Sequence, residues 1–333
     1  MIRVGVDAMG GDFAPENVIL GAIEAYACID KKTKICLIGN ESIITEVCNH
    51  YGFDSGNFVL FNATQTIEMG EHPVRAYRKK ADSSIHVGFD LLSQKKIDAF
   101  ASAGNTGAML AGTVNSLELL PGIIRPCISA QMPLSNGKNM LILDVGFNSD
   151  SKADVLYQFG ILGSIYAQVM MGIKSPKVAL LNIGAEEEKG NLVSREAYKL
   201  MKNSTDFEFV GNMEANQLFT GGIANVLVTD GFVGNICLKQ AEGIYELVVK
   251  LGVDHPFLHR FNYENYGGTL VLGAVSPVVI GHGASTPVAI KNMVTTMTIS
   301  QNFPQNQAIK PIMSMNKMIM PTMIQIKAVK LQV

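Results

Sequence analysis

The chain carries little net charge and no long apolar run. Its 27 basic and 29 acidic side chains leave a formal net charge of -2, so we expect no nucleic-acid partner. It contains no stretch of about 18 uninterrupted apolar residues, and Met1 leads into a strand pattern without the basic and apolar regions of a signal peptide. We therefore expect a cytoplasmic protein.

Several common metal-binding and catalytic patterns are also absent. The five cysteines are odd in number and form no C-x-x-C pair, which indicates neither a disulfide framework nor a zinc site. The sequence has no H-E-x-x-H and no G-x-S-x-G motif, so a zinc helix or a serine hydrolase fits poorly. Neither the P-loop nor the dinucleotide-binding glycine pattern occurs.

Short aliphatic runs alternate with segments of helical length along most of the chain. These runs are nearly continuous in hydrophobicity, as in strands that are buried on both faces. This pattern predicts a three-layer α/β/α fold with a mostly parallel sheet. We predict strands at residues 2–6, 34–38, 58–61, 98–102, 139–144, 178–183, 207–210, 226–229 and 278–280.

The length and composition favour one two-lobed domain over residues 1–300. A lobe boundary is expected near 121–126 or 133–138, where prolines cluster. The segment 301–333 differs, because it is rich in methionine, has no Asp or Glu and is interrupted by prolines. We predict a flexible tail there, and a lipid-binding or partner-binding segment is the alternative.

The first strand ends in an acidic loop with two adjacent glycines. Asp7 stands at the end of the strand, Gly10 and Gly11 allow unusual backbone conformations, and Asp12 precedes a helix start at Pro15. Ligands of open α/β sheets bind beyond the carboxyl ends of strands. The loop is therefore a candidate site, and an ordinary strand-to-helix turn is the alternative.

A second glycine-rich loop follows the strand at 98–102. Ser102 ends this strand, and residues 104–107 (Gly-Asn-Thr-Gly) precede a helix of small residues. Backbone N–H groups at a helix start favour an anion, so this loop resembles a phosphate nest, with a plain tight turn as the alternative. Arg75 lies in a basic cluster just upstream, and its guanidinium group suits phosphate, with a solvated basic helix face as the alternative.

Four more polar loops follow predicted strands, at residues 144–150, 182–191, 229–235 and 281–285. So many loops at one sheet edge indicate a cleft. In the last of these loops His282 could act as a general acid or base, because the glycines on both sides give access to it. For His282 a structural role is the alternative.

The ordered motifs resemble one family. They include Asp-Ala-Met-Gly-Gly-Asp at 7–12, Pro-Val-Arg-Ala at 73–76, Ser-Ala-Gly-Asn-Thr-Gly-Ala at 102–108, Thr-Asp-Gly-Phe-Val-Gly-Asn at 229–235 and Gly-His-Gly at 281–283. Together they resemble the bacterial phosphate acyltransferases of phospholipid synthesis (PlsX). The likeness covers residues 1–295.

This resemblance implies transfer of a fatty acyl group from acyl carrier protein to inorganic phosphate. It also implies an isopropylmalate-dehydrogenase-like fold, a homodimer, no metal or organic cofactor, and an acyl phosphate product for a membrane-bound glycerol-phosphate acyltransferase. For that reaction Gly104, Asn105 and Thr106 would hold phosphate or the developing oxyanion, Lys189 or Arg75 would balance charge, and His282 or Asp7 would move protons. The catalytic candidates are thus Asp7, Asn105, Lys189 and His282. The candidates for binding substrate or phosphate are Gly10, Gly11, Asp12, Arg75, Ser102, Gly104, Thr106, Gly107, Asn148, Glu187, Asn191, Asp230 and Asn235.

Three questions stay open at the level of sequence. One alternative is a metal- and nicotinamide-dependent hydroxyacid dehydrogenase, in which Asp7, Asp12, Asp144 and Asp230 would hold the metal. Another is an inactive scaffold that binds acyl carrier protein. Residues 253–261 offer apolar and basic groups for peripheral contact with the inner face of the membrane, and a short packed helix is the alternative there.

Overall fold

The computed structural model describes residues 1–300, and the predicted Met-rich tail lies outside the described residues. The strands are β1 (Ile2–Asp7), β2 (Thr33–Gly39), β3 (Val59–Asn62), β4 (Ala99–Ser102), β5 (Cys127–Pro133), β6 (Asn139–Leu143), β7 (Lys177–Asn182), β8 (Glu208–Glu214), β9 (Val226–Val228), β10 (Thr269–Leu272) and β11 (Val278–Ile280). The helices are α1 (Glu16–Cys28), α2 (Glu41–His50), α3 (Pro73–Lys79), α4 (Ser84–Ser93), α5 (Thr106–Ser116), α6 (Ala153–Val169), α7 (Leu192–Lys202), α8 (Gly231–Lys250), α9 (Pro256–His259) and α10 (Pro287–Ser300).

The described chain divides into two compact units. Unit 1 comprises Met1–Glu118, Ile128–Pro133 and the described residues from Leu238 on. Unit 2 comprises Leu119–Cys127 and Leu134–Cys237. Each unit contains strands of its own and helices that cover them.

In unit 1 the strand order is β3-β2-β1-β4-β11-β10-β5. The pairs from β3 through β11 are parallel, and β10 runs antiparallel to β11. Fully buried Phe89 and Phe100 meet edge to face, with ring centroids 5.2 Å apart. Helices α1 and α10 pack closely at Gly21, where a Cβ atom would lie 2.5 Å from Cβ of Ile290.

In unit 2 the strand order is β6-β9-β7-β8, and all three pairs are parallel. Helix α6 is buried along nearly its whole length, as expected for a helix that is apolar on all sides. It approaches the strands at Gly163, where a Cβ atom would lie 2.5 Å from Cγ1 of Val226.

The predicted α/β class with a mostly parallel, helix-covered sheet is confirmed. Strands β5 and β10 were not predicted. Pro126 precedes β5 and Pro133 is its last residue, which made the strand resemble a lobe boundary, while β10 has only four residues between Gly268 and Gly273. Strand β8 continues past the predicted end at Val210, because the left-handed Gly211 (φ +98°) forms a bulge instead of ending the strand.

Parallel pairing brings polar strand ends to one edge within each unit. In unit 1, Asp7 ends β1 and Ser102 ends β4, and the amide of Gly281 after β11 donates to the Ser102 carbonyl at 2.9 Å. In unit 2, Asp144 follows β6 and Asp230 lies just beyond β9. These two edges carry the candidate site residues.

Candidate active site

A buried carboxyl group lies at the end of β1. Asp7 is 1% exposed, and its Oδ2 accepts a 2.6 Å hydrogen bond from the Ser102 hydroxyl. The amide of Gly104 donates to that hydroxyl oxygen at 2.9 Å, and the amide of Met9 donates to Asp7 Oδ1 at 3.0 Å. Burial raises the pKa of Asp7, although these hydrogen bonds act to lower it. Asp7 thus ties the two glycine-rich loops together.

The double-glycine loop approaches this carboxyl group too closely for any side chain. A Cβ atom at Gly10 would lie 2.3 Å from Asp7 Oδ2 and 2.8 Å from the Gly104 nitrogen. Gly11 adopts φ +121°, which favours glycine. The next residue, Asp12, is exposed, and its amide donates to the Gly283 carbonyl at 2.8 Å. The double-glycine loop therefore connects the end of β1 to the loop that follows β11.

The Asn105 side chain bonds to two parts of the structure, the first turn of α5 and the segment 68–71. Its Oδ1 accepts from the Ala108 amide at 3.0 Å and so caps α5. Its Nδ2 donates to the carbonyl oxygens of Glu68, Met69 and Glu71, at 3.0, 3.3 and 3.2 Å. Asn105 therefore fixes the 68–71 segment against the start of α5.

The first turn of α5 presents backbone donors. The amides of Thr106 and Gly107 have no hydrogen-bond acceptor in the described part of the chain, as is usual for a helix start. Thr106 is exposed. Gly107 permits close packing of α3, because a Cβ atom there would lie 2.5 Å from Cγ of Pro73. Arg75, two residues further along α3, is exposed.

His282 lies in the loop after β11 and is exposed. Its ring stacks on Tyr263, with centroids 4.8 Å apart, and the Tyr263 hydroxyl donates to the Ala284 carbonyl at 2.8 Å. Nδ1 of His282 accepts from the Ala284 amide at 3.2 Å. This bond assigns the proton of the neutral ring to Nε2, which points away from it.

In unit 2, Asp144 organises the loop after β6. This buried carboxylate accepts from the Asn148 amide at 2.6 Å and from Asn148 Nδ2 at 2.8 Å. Asn148 Nδ2 also donates to the Pro126 carbonyl at 2.8 Å. A Cβ atom at Gly234 would lie 1.9 Å from the Asp144 carbonyl oxygen. Asn148 is therefore a buried structural link, while Asn235 is exposed beside the left-handed Gly146.

Asp230 and Asn191 begin two helices of unit 2. Asp230 Oδ1 accepts from the Val233 amide in the first turn of α8, at 2.8 Å. Asn191 Oδ1 accepts from the Ser194 amide at 2.8 Å and caps α7. Both residues border a cavity of about 450 Å³ that lies wholly in unit 2.

Lys189 and Glu187 belong to the exposed loop between β7 and α7. The Lys189 carbonyl accepts from Asn182 Nδ2 at 3.1 Å, and its aliphatic stem lies over Gly184, where a Cβ atom would be 2.9 Å from Cγ. Glu187 forms an ion pair with Lys202 at 2.6 Å. The carboxylate of Glu187 is thus already paired, whereas the ammonium of Lys189 forms no ion pair within residues 1–300.

The structure groups the sequence candidates by unit. Unit 1 brings together the glycine-rich loops after β1 and β4 and the Gly-His-Gly loop. Unit 2 brings together the loops after β6, β7 and β9. Sequence reasoning missed Tyr263, the segment 68–71 and Ser151, which lines the cavity of unit 2. Tyr263 and the segment 68–71 do not directly follow a predicted strand, so no strand-end signal marked them, whereas Ser151 lies one residue beyond the polar loop that was marked at 144–150.

Among residues 1–300, no group of three or more His, Cys, Asp or Glu side chains is arranged to hold a metal ion. No helix of that range is both long and apolar enough to span a membrane.

Comparison with known proteins identifies the family. Residues 2–256 match the family described as Fatty acid synthesis protein. The chain is 40% identical over 303 residues to the phosphate acyltransferase of Dictyoglomus thermophilum, covering 85% of this chain and 89% of that protein.

Solved structures confirm the fold. A phosphotransacetylase from Streptococcus pyogenes superimposes with a TM-score of 0.63 at 18% identity, covering 93% of this chain and 94% of that one. A Salmonella typhimurium protein assigned as a 4-hydroxythreonine-4-phosphate dehydrogenase gives a TM-score of 0.51 at 10% identity, covering 90% and 99%. At such low identities these superpositions show the fold alone. The predicted likeness to the fold of dehydrogenases is part of what they show. On the strength of its sequence matches, the chain belongs to the phosphate acyltransferase family.

Proposed function

We propose that this protein transfers a fatty acyl group from the thioester of acyl carrier protein to inorganic phosphate. A phosphate oxygen attacks the thioester carbonyl, the C–S bond breaks, and the carrier thiolate leaves and takes up a proton. The products are acyl phosphate and the carrier thiol. Membership of the phosphate acyltransferase family supports the reaction class.

The observation that carries this proposal is the open start of α5 beside the Gly10-Gly11 loop. The reaction brings phosphate next to a carbonyl that becomes an oxyanion, so the site needs preorganised N–H donors more than a protein nucleophile. The unpaired amides of Thr106 and Gly107 supply such donors, and the close packing of Gly10 against Gly104 holds the loop after β1 next to them. The α5 dipole favours the anion.

Proton transfer is assigned to His282 in this proposal. Its Nε2–H is exposed, and the bond from the Ala284 amide to Nδ1 holds the tautomer. A protonated Nε2 is suited to donating to the departing thiolate. Asp7 is enclosed by Ser102 and Met9, so we assign it to positioning the two glycine loops.

The test of the function is direct product detection. Purified protein is incubated with palmitoyl carrier protein and labelled phosphate, and acyl phosphate is trapped with hydroxylamine. We expect palmitoyl hydroxamate that depends on phosphate. Binding of the carrier protein without product would identify a scaffold, and reduction of a nicotinamide cofactor with a hydroxyacid and a divalent metal would identify a dehydrogenase.

Lys189 is proposed to balance the phosphate charge. Because its ammonium is exposed and forms no ion pair within residues 1–300, Lys189→Ala should leave the urea midpoint unchanged and lower kcat/KM for phosphate by about 100-fold. The matched control is Lys199→Ala on α7, which is also exposed. Equal activity of the two variants would remove Lys189 from the mechanism.

The remaining partners are also proposals. Acyl phosphate is a reactive mixed anhydride, so a membrane-bound acyltransferase that acts on glycerol phosphate is the proposed consumer. A cytoplasmic homodimer that contacts the inner face of the membrane would deliver it over a short distance. The segment 253–261 proposed for this contact contains the short helix α9, in which Phe257 meets Phe261, two residues beyond the helix, edge to face at 5.3 Å.

A further inference from the structure

The imidazole of His282 stacks on one aromatic side chain of unit 1. Tyr263 lies in a single turn of 3₁₀ helix, Tyr263–Asn265, that precedes β10. The centroids of the two rings are 4.8 Å apart and the rings are 28° from parallel, so the tyrosine covers one face of the imidazole. His282 is exposed, whereas Tyr263 is partly buried. The stack therefore restricts a histidine ring that would otherwise turn freely at the surface.

The same tyrosine also holds the residue that bonds to the imidazole. The Tyr263 hydroxyl donates to the Ala284 carbonyl at 2.8 Å, and the Ala284 amide donates to His282 Nδ1 at 3.2 Å. The His282 carbonyl accepts from the amide and the hydroxyl of Ser285, at 3.0 and 2.5 Å, and closes the turn. Tyr263 thus contacts this loop at two points, the imidazole ring and the residue that fixes its tautomer.

The environment of Tyr263 keeps its hydroxyl protonated. Burial raises the pKa of this hydroxyl, and the carboxylates of Glu264 and Asp12 raise it further. A phenolate could not donate to the Ala284 carbonyl. The raised pKa therefore preserves the hydrogen bond that holds the loop.

The turn that carries Tyr263 is anchored on α10. Asn292 Nδ2, on that helix, donates to the Glu264 carbonyl at 2.8 Å. Gly267 follows the turn with φ +71°, and a Cβ atom there would lie 2.2 Å from the backbone nitrogen of Met293. Backbone packs directly on backbone here, which leaves Tyr263 little room to move relative to α10. Such support is what a precisely oriented side chain needs.

We propose that Tyr263 is a positioning residue for His282, and that its stacked ring, more than its hydroxyl, holds the imidazole with the proton on Nε2. The ring touches the imidazole itself, whereas the hydroxyl acts through Ala284. The inference rests on the proposed acyl transfer, in which Nε2–H donates to the departing thiolate, and it adds the side chain that directs this proton. A shift of about 1 Å in a reacting group can cost about 100-fold in rate.

Two substitutions separate the ring from the hydroxyl. Tyr263→Phe keeps the stacked ring and loses only the bond to Ala284, so kcat should stay within about fivefold of the unsubstituted protein. Tyr263→Leu loses both and should lower kcat by about 30-fold or more, with KM for phosphate unchanged because the α5 donors stay in place. The matched control is Tyr26→Leu on α1, whose ring meets Phe53 and whose hydroxyl donates to Asn57. It should leave kcat unchanged.

NMR spectroscopy of the histidine rings reads the orientation without the reaction. In protein labelled with ¹³C and ¹⁵N in histidine, the signals of His282 are assigned by comparison with His282→Gln. Its carbon-bound ring protons should be shielded by the Tyr263 ring, and its ¹⁵N signals should show the proton on Nε2. Tyr263→Phe and Tyr26→Leu should preserve both features. Tyr263→Leu should lose the shielding and mix the two tautomers.

The two measurements separate the positioning role from the reaction. Shielding that is lost in Tyr263→Leu, in a protein that forms no acyl phosphate, would support Tyr263 as the support of the ring and reject the proposed reaction. Acyl phosphate formed at an unchanged kcat by Tyr263→Leu would overturn the positioning role alone. An equal loss of kcat in Tyr263→Phe, or a loss without any change in the His282 signals, would also overturn it. If Tyr263→Leu does not fold, unshielded His282 signals in the unsubstituted protein would still do so.

Discussion

At the scale of single residues, the Asp7 carboxyl group was a candidate for catalysis, and in the structure it holds two loops together. It lies at the end of β1 with almost no exposed surface, and both of its oxygens accept hydrogen bonds. Because Gly10 leaves room for no side chain beside it, the loops after β1 and β4 meet at this group. A polar group in such a position is costly unless it is fully bonded.

Asp7 predicts a specific pH dependence of stability. Since burial raises its pKa in the folded protein, the folded state holds the proton more tightly than the unfolded chain. Its contribution to the free energy of unfolding is therefore complete below about pH 4 and falls as pH rises towards the raised pKa. The variant Asp7→Asn lacks this ionisable group, so its free energy of unfolding lacks this contribution to the pH dependence.

The measurement is urea unfolding of both proteins across this pH range. The free energy of unfolding of the unsubstituted protein, minus that of Asp7→Asn, should decrease as pH rises. A difference that is constant or increases with pH would show that the carboxyl group is not destabilised in its ionised form by burial.

At the scale of elements, the start of α5 is defined by its cap and by the segment that the cap holds. Asn105 does both with one side chain. The nearby ion pair between Lys80 and Glu71 and the 2.7 Å bond from Lys80 to the Thr66 carbonyl hold the same segment from its other side. The donors of α5 therefore lie next to an ordered loop.

Asn105→Ser separates capping from loop attachment. A serine still caps the helix, but it is too short to reach the carbonyl groups of residues 68–71. Loss of hydrogen bonds worth about 1 kcal/mol each should raise hydrogen exchange in this segment by about tenfold or more and lower kcat. Exchange within α5 should change little.

The matched control is Asn40→Ser at the start of α2. Asn40 also caps its helix, through the amides of Ser42 and Ile43, but its side chain forms no hydrogen bond to a distant loop within residues 1–300. This variant should leave exchange at 68–71 and the activity unchanged. If Asn105→Ser and Asn40→Ser show the same hydrogen exchange at 68–71 and the same activity, the attachment of this segment to Asn105 has no role in the function.

At the scale of the whole molecule, α8 and its C-terminal end expose a line of large apolar side chains. Ile244 and Leu247 are 46% and 56% exposed, and Leu251 just beyond the helix is 70% exposed. Spacings of three and four residues place them on one side. A contiguous apolar surface of this kind indicates an interface, and a second copy of the chain is the occupant expected from the family resemblance.

Sedimentation velocity tests this surface. The unsubstituted protein should sediment as a dimer, and Ile244→Glu with Leu247→Glu should weaken association by about 100-fold or more, because two charges would be buried. The control is Val114→Glu on α5, where the side chain is 57% exposed. Equal masses for the double variant and the unsubstituted protein would reject α8 as the dimer surface.

The sequence determined the class of fold and the positions of most strands. Continuous aliphatic runs indicate strands that are buried on both faces. This signal lies within the residues of each run, so the sequence alone contains it. The same reasoning missed β5 and β10. Prolines and glycines at or beside these segments indicated turns, but pairing with neighbouring strands makes them strands. The motifs also identified the family, since their order along the chain is itself a sequence property.

Only the tertiary structure decided what each candidate side chain contacts. Asn105, Asn148 and Glu187 are polar and follow predicted strands, yet their bonds go to a distant loop, to the Pro126 carbonyl and to Lys202. The cavity of unit 2 likewise combines residues from 150 to 237. Such contacts depend on distances between residues far apart in the chain, and local composition carries no information on them.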